Sequence, residues 1–165
     1  MDFKVFKERR GRLLAKIGDS SIAIIPSAPV CYRTIGTSWP YRQNSDFLYL
    51  TGFKESNALI VLISHEKLRE FILFSRKKDS TLEMWEGEII GQDKACSVYG
   101  ADRAFSIDKV DKVLRELFTD TKNIYYSDSG GGECFKNRIK KWKNTFSNLE
   151  FKILDPIYRK CTCNI

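Results

Sequence analysis

Apolar residues recur at helical spacing at the start of the chain, and the spacing predicts an amphipathic first helix. Gly18 follows the last of them and is typical of a helix C-terminal cap. The apolar residues of this helix are Phe3, Phe6, Leu13, Leu14 and Ile17.

Short apolar runs predict strands in the first half of the chain. Ser21–Pro26 (SIAIIP) predicts a buried strand that proline ends, and the segment from there to Pro40 has the punctuation of a loop. In DFLYLTGF, an extended chain would put Phe47 and Tyr49 on one face and Leu48 and Leu50 on the other, which favours a strand over Phe47–Leu50 that is covered on both sides. Ala58–Ile63 and Glu70–Phe74 are two further apolar runs joined by a hairpin connection. These three runs predict an antiparallel meander.

The second half alternates helical and extended patterns. A short helical stretch is expected to begin after Gly87 and Gly91 and to close at Gly100, followed by a helix with Asp108 as its N-cap. Later elements are a strand at Asn123–Tyr126, a helix with Phe135, Ile139 and Trp142 inward, and a strand at Leu149–Leu154. The fold class expected is α/β, with a mixed, mostly antiparallel-centred sheet flanked by helices.

Composition places the chain among single-domain globular proteins. It has 165 residues, of which 42% are hydrophobic and 13% aromatic, enough for one core. No run reaches the roughly 20 apolar residues of a spanning helix, and MDFKVFKERR lacks the apolar core of a secretory signal. We expect a soluble, cytoplasmic protein without a membrane partner.

The charge of the chain changes this interpretation little. Twenty-eight basic and 21 acidic residues give a formal charge of +7, which favours anionic partners. The basic residues are spread over Lys7–Arg12, Arg76–Lys78 and Lys136–Lys143. This distribution indicates solvated faces rather than a nucleic-acid footprint.

The chain contains few residues of the types that catalyse reactions or bind metals. Five cysteines, an odd number without a C-x-x-C pair, and one histidine, His65, predict reduced thiols, a surface histidine and no metal site. The run DSGGG (Asp128–Gly132) could cradle a phosphate but lacks the phosphate-loop spacing, so it favours a flexible turn. We interpret the acids Glu83, Glu86, Glu88 and Asp93 as counter-charges to Arg76–Lys78.

The run YRQNSDFLYLTGF concentrates polar and aromatic residues and is the most specific motif of the chain. With Arg33, the W-x-G-x-x-x-G run Trp85–Gly91 and the Y-G-x-D-x-A run Tyr99–Ala104, it resembles the N-terminal domain of bacterial Xaa-Pro aminopeptidase, or aminopeptidase P. The resemblance implies a creatinase/aminopeptidase P N-terminal fold over residues 1–156. Residues 157–165 would begin the link to a catalytic domain, so the chain would lack that domain. The residues of the structural signature are Gln43, Asn44, Ser45, Asp46, Phe47, Gly52 and Phe53.

The resemblance also implies where the chemistry lies. In this family the catalytic domain holds two divalent metals, typically manganese, and hydrolyses the peptide bond before proline. The present chain is then expected to have no catalytic residue, metal ligand or cofactor of its own, and to hydrolyse nothing alone. Its expected role is in oligomer contacts and in shaping the substrate cleft, with a homo-oligomer or a catalytic half as partner.

Four residues are the candidates for that role by resemblance: Trp85, Arg33, Tyr41 and Arg42. Polar residues flank Trp85 and Gly87 follows it, which predicts an exposed ring on a turn, although core packing is the alternative. Family members commonly carry an Asp where this chain has Gly36, so one contact across the cleft is expected to be absent. Two other hypotheses remain: a standalone protein-interaction domain and a basic nucleic-acid-binding domain.

Overall fold

The computed structural model describes residues 3–154 except 36, 67 and 129. Its helices are α1 (Phe3–Ile17), α2 (Ser45–Thr51), α3 (Ser80–Glu86), α4 (Gly91–Ser97), α5 (Val110–Leu117) and α6 (Gly132–Thr145). Its strands are β1 (Ser21–Pro26), β2 (Tyr32–Thr34), β3 (Thr37–Ser38), β4 (Leu59–His65), β5 (Leu68–Ser75), β6 (Arg103–Ser106), β7 (Asn123–Tyr126) and β8 (Glu150–Ile153).

Six strands form one mixed sheet in the order β6-β5-β4-β1-β7-β8. The three central strands are antiparallel, with Ile24 opposite Val61 and Val61 opposite Ile72. The outer pairs β5–β6, β1–β7 and β7–β8 are parallel. This arrangement confirms the predicted fold class, and β2 and β3 form a separate antiparallel hairpin.

Both faces of the sheet are covered by helices. Ala23 and Ile25 of β1 face the apolar residues of α1, α2 and α4, whereas Ile22 and Ile24 face those of α5 and α6. Strands buried on both faces are apolar throughout, which explains why β1, β4 and β5 were recognisable as continuous apolar runs. Arg10 fastens α1 to this core, because its Nη1 donates to the carbonyl of Leu50 at 2.9 Å.

The prediction of a strand at Phe47–Leu50 is wrong, because these residues lie in helix α2. The residues of α2 that are buried are Phe47, Leu50 and Thr51, which share one helical face. Asn44 caps the start of the helix, and Gly52 closes it at φ 69°. The antiparallel centre of the sheet is therefore β1-β4-β5. Of the three strands predicted to form a meander, only the last two, β4 and β5, are present.

Four smaller predictions also need correction. Trp85 lies in a short helix, α3, not on a turn, and the loop before Pro40 contains the hairpin β2–β3. Asp108 is in a 3₁₀ turn, and Lys109 takes the N-cap position of α5. His65 ends β4 half-buried rather than lying on the surface. Strand β6, which no apolar alternation had indicated, pairs with β5.

Candidate functional site

Gln43 connects three separate stretches of backbone. Its Oε1 accepts hydrogen bonds from the amides of Ala28 and Asn44, both at 2.9 Å. Its Nε2 donates to the carbonyls of Phe53 at 3.3 Å and Glu55 at 2.9 Å. A side-chain amide with both ends occupied by backbone has a structural role, because no donor or acceptor is left to bind a substrate strongly.

Asn44 and the two residues after it start helix α2. The Asn44 Oδ1 accepts from the amides of Asp46 at 2.8 Å and Phe47 at 3.2 Å, as N-cap side chains do. Ser45 and Asp46 occupy the first turn, where a negative charge is favourable. This part of the motif therefore caps a helix rather than binding a ligand.

The glycine run 130–132 packs against the same loop. A Cβ at Gly130 would lie 1.9 Å from Asn44 Nδ2, and one at Gly132 would lie 3.1 Å from the ring of Pro29. Gly132 also has φ 65°, a conformation that favours glycine. Close backbone approach accounts for these glycines, so they do not by themselves indicate a phosphate site.

The last signature residues belong to the core. Phe47 and Phe53 are fully buried, with their ring centroids 6.3 Å apart in an edge-on arrangement. Gly52 lies against α1, because a Cβ there would be 2.7 Å from the ring of Phe6. The signature thus holds α1, α2 and the sheet together.

The first candidate surface is the hairpin β2–β3 with the loop after it, which we call the hairpin surface (residues 32–42, without 36). It exposes large apolar side chains: Tyr32, Ile35 and Trp39. The Arg33 guanidinium lies 5.2 Å from the centroid of the Trp39 ring, within cation–π range. Two of the predicted site residues, Tyr41 and Arg42, are exposed on the same loop.

Tyr41 joins the hairpin surface to the Gln43 network. Its hydroxyl lies 3.1 Å from the Ala28 carbonyl and 3.0 Å from Gln43 Oε1, so it can donate to either. Burial raises the pKa of the Tyr41 phenol above its ordinary value. The hydroxyl of the neutral phenol anchors one end of the loop, while the residue stays partly exposed.

The second candidate surface is helix α3, which we call the α3 surface. No residue of this helix is buried, and Trp85 is 85% exposed, as the sequence predicted. Leu82 and Met84 are exposed beside it in the chain. Asp79 caps the helix by accepting from the amides of Thr81 and Leu82. The helix therefore holds its shape while presenting apolar side chains outward.

Carboxylates hold the α3 segment to the domain. Glu86 pairs with Arg76, and Glu83 accepts from the amide of Ile89 at 3.0 Å. Glu55 accepts from the amide of Ile90 at 2.7 Å. Burial raises the pKa of Glu55 above its ordinary value. The acidic residues around Trp85 therefore anchor α3 as well as balancing Arg76.

The structure separates the four predicted site residues into two groups. Arg33, Tyr41 and Arg42 share the hairpin surface, whereas Trp85 lies on α3. In the described part of the chain, no hydrogen bond, ion pair or ring contact joins these two surfaces. Sequence reasoning missed Tyr32, Ile35, Trp39, Leu82 and Met84 as exposed apolar residues. Their position within otherwise polar, loop-like segments was the available signal.

Within residues 3–154, apart from the three left undescribed, no three His, Cys, Asp or Glu side chains are grouped to hold a metal ion. Among the same residues no helix is long and apolar enough to cross a membrane. Gly36 and the segment 157–165 lie outside the described residues. The hairpin surface exposes aromatic rings beside Arg33, and the α3 surface exposes Trp85 and Met84 between carboxylates.

An α/β domain of this architecture matches a known family. The family model of the aminopeptidase P N-terminal domain covers residues 6–125 of this chain. The chain belongs to that family, as the resemblance implied. The Xaa-Pro aminopeptidase of Escherichia coli (strain K12) is 38% identical over 123 residues, which are 74% of this chain and 28% of that protein. Intermediate cleaving peptidase 55, mitochondrial, of Arabidopsis thaliana is 31% identical over 149 residues, 90% of this chain and 29% of that protein.

Solved structures show the same fold. Aminopeptidase PepP of Pseudomonas aeruginosa matches with a TM-score of 0.87 and 35% identity, over 96% of this chain and 38% of that chain. Proline aminopeptidase P II of Yersinia pestis matches with a TM-score of 0.83 and 34% identity over the same shares. The chain thus spans well under half the length of these relatives.

Proposed function

We propose that this chain acts as the non-catalytic N-terminal domain of an Xaa-Pro aminopeptidase, a proline-specific metallopeptidase. In this role it mediates oligomer contacts and shapes the substrate cleft. Membership of the aminopeptidase P N-terminal domain family supports the proposal, as do two relatives named Xaa-Pro aminopeptidase, from Escherichia coli and Haemophilus influenzae.

The observation that carries the proposal is the exposure of Trp85. Trp85 is 85% exposed, and Met84, next to it in the chain, is 82% exposed. Soluble proteins reserve clustered exposed apolar side chains for partners, and tryptophan buries much area at low entropic cost. The α3 surface accordingly packs against a second subunit or against a catalytic half, where Trp85 would wall the cleft.

The hairpin surface supplies the second contact. Arg33 beside Trp39 and the exposed Arg42 place positive charge among rings. Arginine and aromatic side chains are enriched at protein interfaces. Since Tyr41 fixes this loop to the Gln43 network, the hairpin surface meets the cleft in a defined position.

The metals belong to the catalytic half in this proposal. That half would hold two divalent ions, manganese in particular, and the described residues of the present chain contain no group of side chains that would share in binding them. One solved relative is a zinc-substituted Escherichia coli aminopeptidase P in complex with product. We place the protein in the cytoplasm, because Cys31, Cys96 and Cys134 are exposed free thiols, which a reducing compartment preserves. Neither nucleic acid nor membrane is a partner.

Sedimentation velocity tests the docking role. The chain is measured over a concentration series alone, and then mixed with the separately produced catalytic half of the Escherichia coli Xaa-Pro aminopeptidase. We expect a complex in at least one arm, and Trp85→Ala should raise its Kd roughly thirtyfold, since truncating an interface tryptophan costs ~2 kcal/mol.

The matched control is Leu68→Ala, an exposed apolar residue outside both surfaces. It should leave the complex unchanged. No complex in either arm, or equal affinity for wild type and Trp85→Ala, would overturn the proposed docking role.

A further inference from the structure

A cavity opens where β1 ends and the chain leaves the centre of the sheet. Its volume is about 340 Å³, at the lower end of the range for small-molecule sites. It lies apart from α3, whose residues do not line it. Apolar side chains form most of its wall: Pro26, Ala28, Pro29, Leu59, Ile107 and Phe135.

Two arginines give this cavity its charge. Arg138, on α6, is half-buried and makes no hydrogen bond or ion pair with any other described residue. Arg76, after β5, pairs with Glu86 through Nη1, but its Nε is buried without a partner. A buried donor without an acceptor is costly. The Arg76 Nε is closed to solvent, so an acceptor entering the cavity would find its unpaired donors on the half-buried Arg138.

The cavity contains no opposing charge. Among the described residues, no Asp or Glu lines it, and the remaining polar wall groups are Ser27, Asn57 and the Cys134 thiol. Ser27 Oγ already accepts from the amide of Ala58 at 2.9 Å. Because Glu86 already balances Arg76, Arg138 is left to determine which ligand charge is favourable.

The geometry points to a binding site for a small carboxylate that carries an apolar body. Guanidinium groups match the planar carboxylate with paired N–H donors. The proline, leucine, isoleucine and phenylalanine walls would cover an aliphatic or aromatic body, which a free phosphate lacks. This site is additional to the docking surfaces, and its test does not depend on them.

Alkylation of Cys134 tests the site, because its exposed thiol lines the cavity. Cys31 and Cys96 are also exposed free thiols but do not line it, so they serve as internal controls. The full chain is pulsed with iodoacetamide with and without 4-phenylbutyrate, and peptide mass spectrometry follows each thiol. At about ten times the probe's Kd, the rate at Cys134 should fall roughly tenfold, while Cys31 and Cys96 keep their rates.

Three further compounds define the ligand class. The neutral 4-phenylbutanamide, acetate and inorganic phosphate should protect Cys134 weakly or not at all at the same concentration. Equal protection by the amide would show that the site does not require a carboxylate. Equal protection by phosphate or acetate would show that it does not require an apolar body. Either result overturns the inference, as does failure of 4-phenylbutyrate to protect or equal slowing of all three thiols.

Variants connect the protection to Arg138. Arg138→Gln should abolish it, whereas Lys140→Gln, which removes the same charge from the same helix outside the cavity, should preserve it. If Arg138→Gln does not fold, Arg138→Lys keeps the charge without the paired donors, and it should reduce protection. Full protection in the folded Arg138 variant contradicts the site.

Discussion

Single residues of the 41–53 segment divide into buried anchors and exposed rings. Gln43 uses both ends of its amide on backbone groups, whereas the neighbouring Arg42 side chain is exposed. The same division holds for two tryptophans, since Trp142 is 3% exposed and Trp85 is 85% exposed. Neighbouring or identical residues therefore contribute to the domain in opposite ways.

Gln43→Ala should destabilise the domain by about 2 to 3 kcal/mol, because it leaves partly buried backbone donors and acceptors without partners. Urea unfolding followed by circular dichroism measures this loss. Arg42→Ala is the neighbouring control and should stay within ~0.5 kcal/mol of wild type. A similar effect for both substitutions would show that the Gln43 network does not hold the loop.

Trp85→Ala should leave the free energy of unfolding within ~0.5 kcal/mol, as exposed substitutions usually do. Trp142→Ala should cost about 3 to 5 kcal/mol, because its buried ring packs edge-on against Phe118 and its Nε1 donates to Asp111. Urea unfolding of both variants compares them directly. A loss of ~3 kcal/mol for Trp85→Ala would mean that its ring is core.

At the level of elements, predictability from sequence followed length and burial. The sequence predicted strands β1 and β4 from their long apolar runs. It predicted helices α1 and α6 because their apolar residues recur at the helical period alone. Helix α2 was not, since F-L-Y-L is apolar at every position and fits either period; its cap residues Asn44 and Gly52 carried the deciding signal. Helix α3 buries nothing, so no apolar period marked it. The close contact between Gly130 and Asn44 joins segments that are far apart in the chain, so no local sequence pattern predicts it.

The contact between α1 and α2 requires glycine at position 52. Gly52→Ala meets a left-handed φ of 69° and the Phe6 ring, whereas Gly18→Ala meets φ 77° with nothing within 4 Å. Both should lose about 1 to 2 kcal/mol to backbone strain. The crowding at Gly52 adds about 1 to 3 kcal/mol. Thermal or urea unfolding of the pair measures the difference, and equal losses would contradict the close packing.

The segment that enters α4 should respond to pH through Glu55. Burial raises the pKa of this carboxyl, so the folded chain holds the proton to a higher pH than the unfolded chain. Its contribution to stability is therefore greatest below the unfolded pKa and is lost as pH rises through the folded one. Arg76, Glu83 and Glu88 are the charges around it.

Glu55→Gln removes this titration. The free energy of unfolding of the variant, minus that of wild type, should increase as the pH rises from about 4 to about 7. Urea unfolding of both proteins across this range measures the trend. A stability difference that does not change with pH, or one that changes in the opposite direction, would contradict the assignment.

At the scale of the whole molecule, the relevant feature is which kinds of side chain lie at the surface of the domain. The described residues offer two surfaces with exposed apolar side chains, the hairpin surface with arginines and the α3 surface with carboxylates, but no cluster of three metal-ligating side chains. The family of the domain could not be named from periodicity or composition; the resemblance that named it came from the motif run 41–53.

The chain alone should not release the N-terminal residue of an Xaa-Pro peptide, with or without added manganese. The expected rate equals that of the no-protein blank, because no described side chains can position a metal-bound hydroxide. A chromatographic assay of the free amino acid measures it. Turnover that survives repurification and is abolished by a chelator would refute this prediction.

The outermost strands bear on the behaviour of the domain at high concentration. The sheet ends on β6 and β8, each only four residues long, and they carry the charged side chains of Arg103 and Lys152. Long, flat, uncharged borders invite strand addition and fibre growth, whereas short charged ones discourage it. Within the described residues, the two borders of the six-stranded sheet therefore offer crowded copies a poor template for polymerising through their backbones. Association between copies would then depend on contacts between side chains, and single substitutions can change such contacts one at a time.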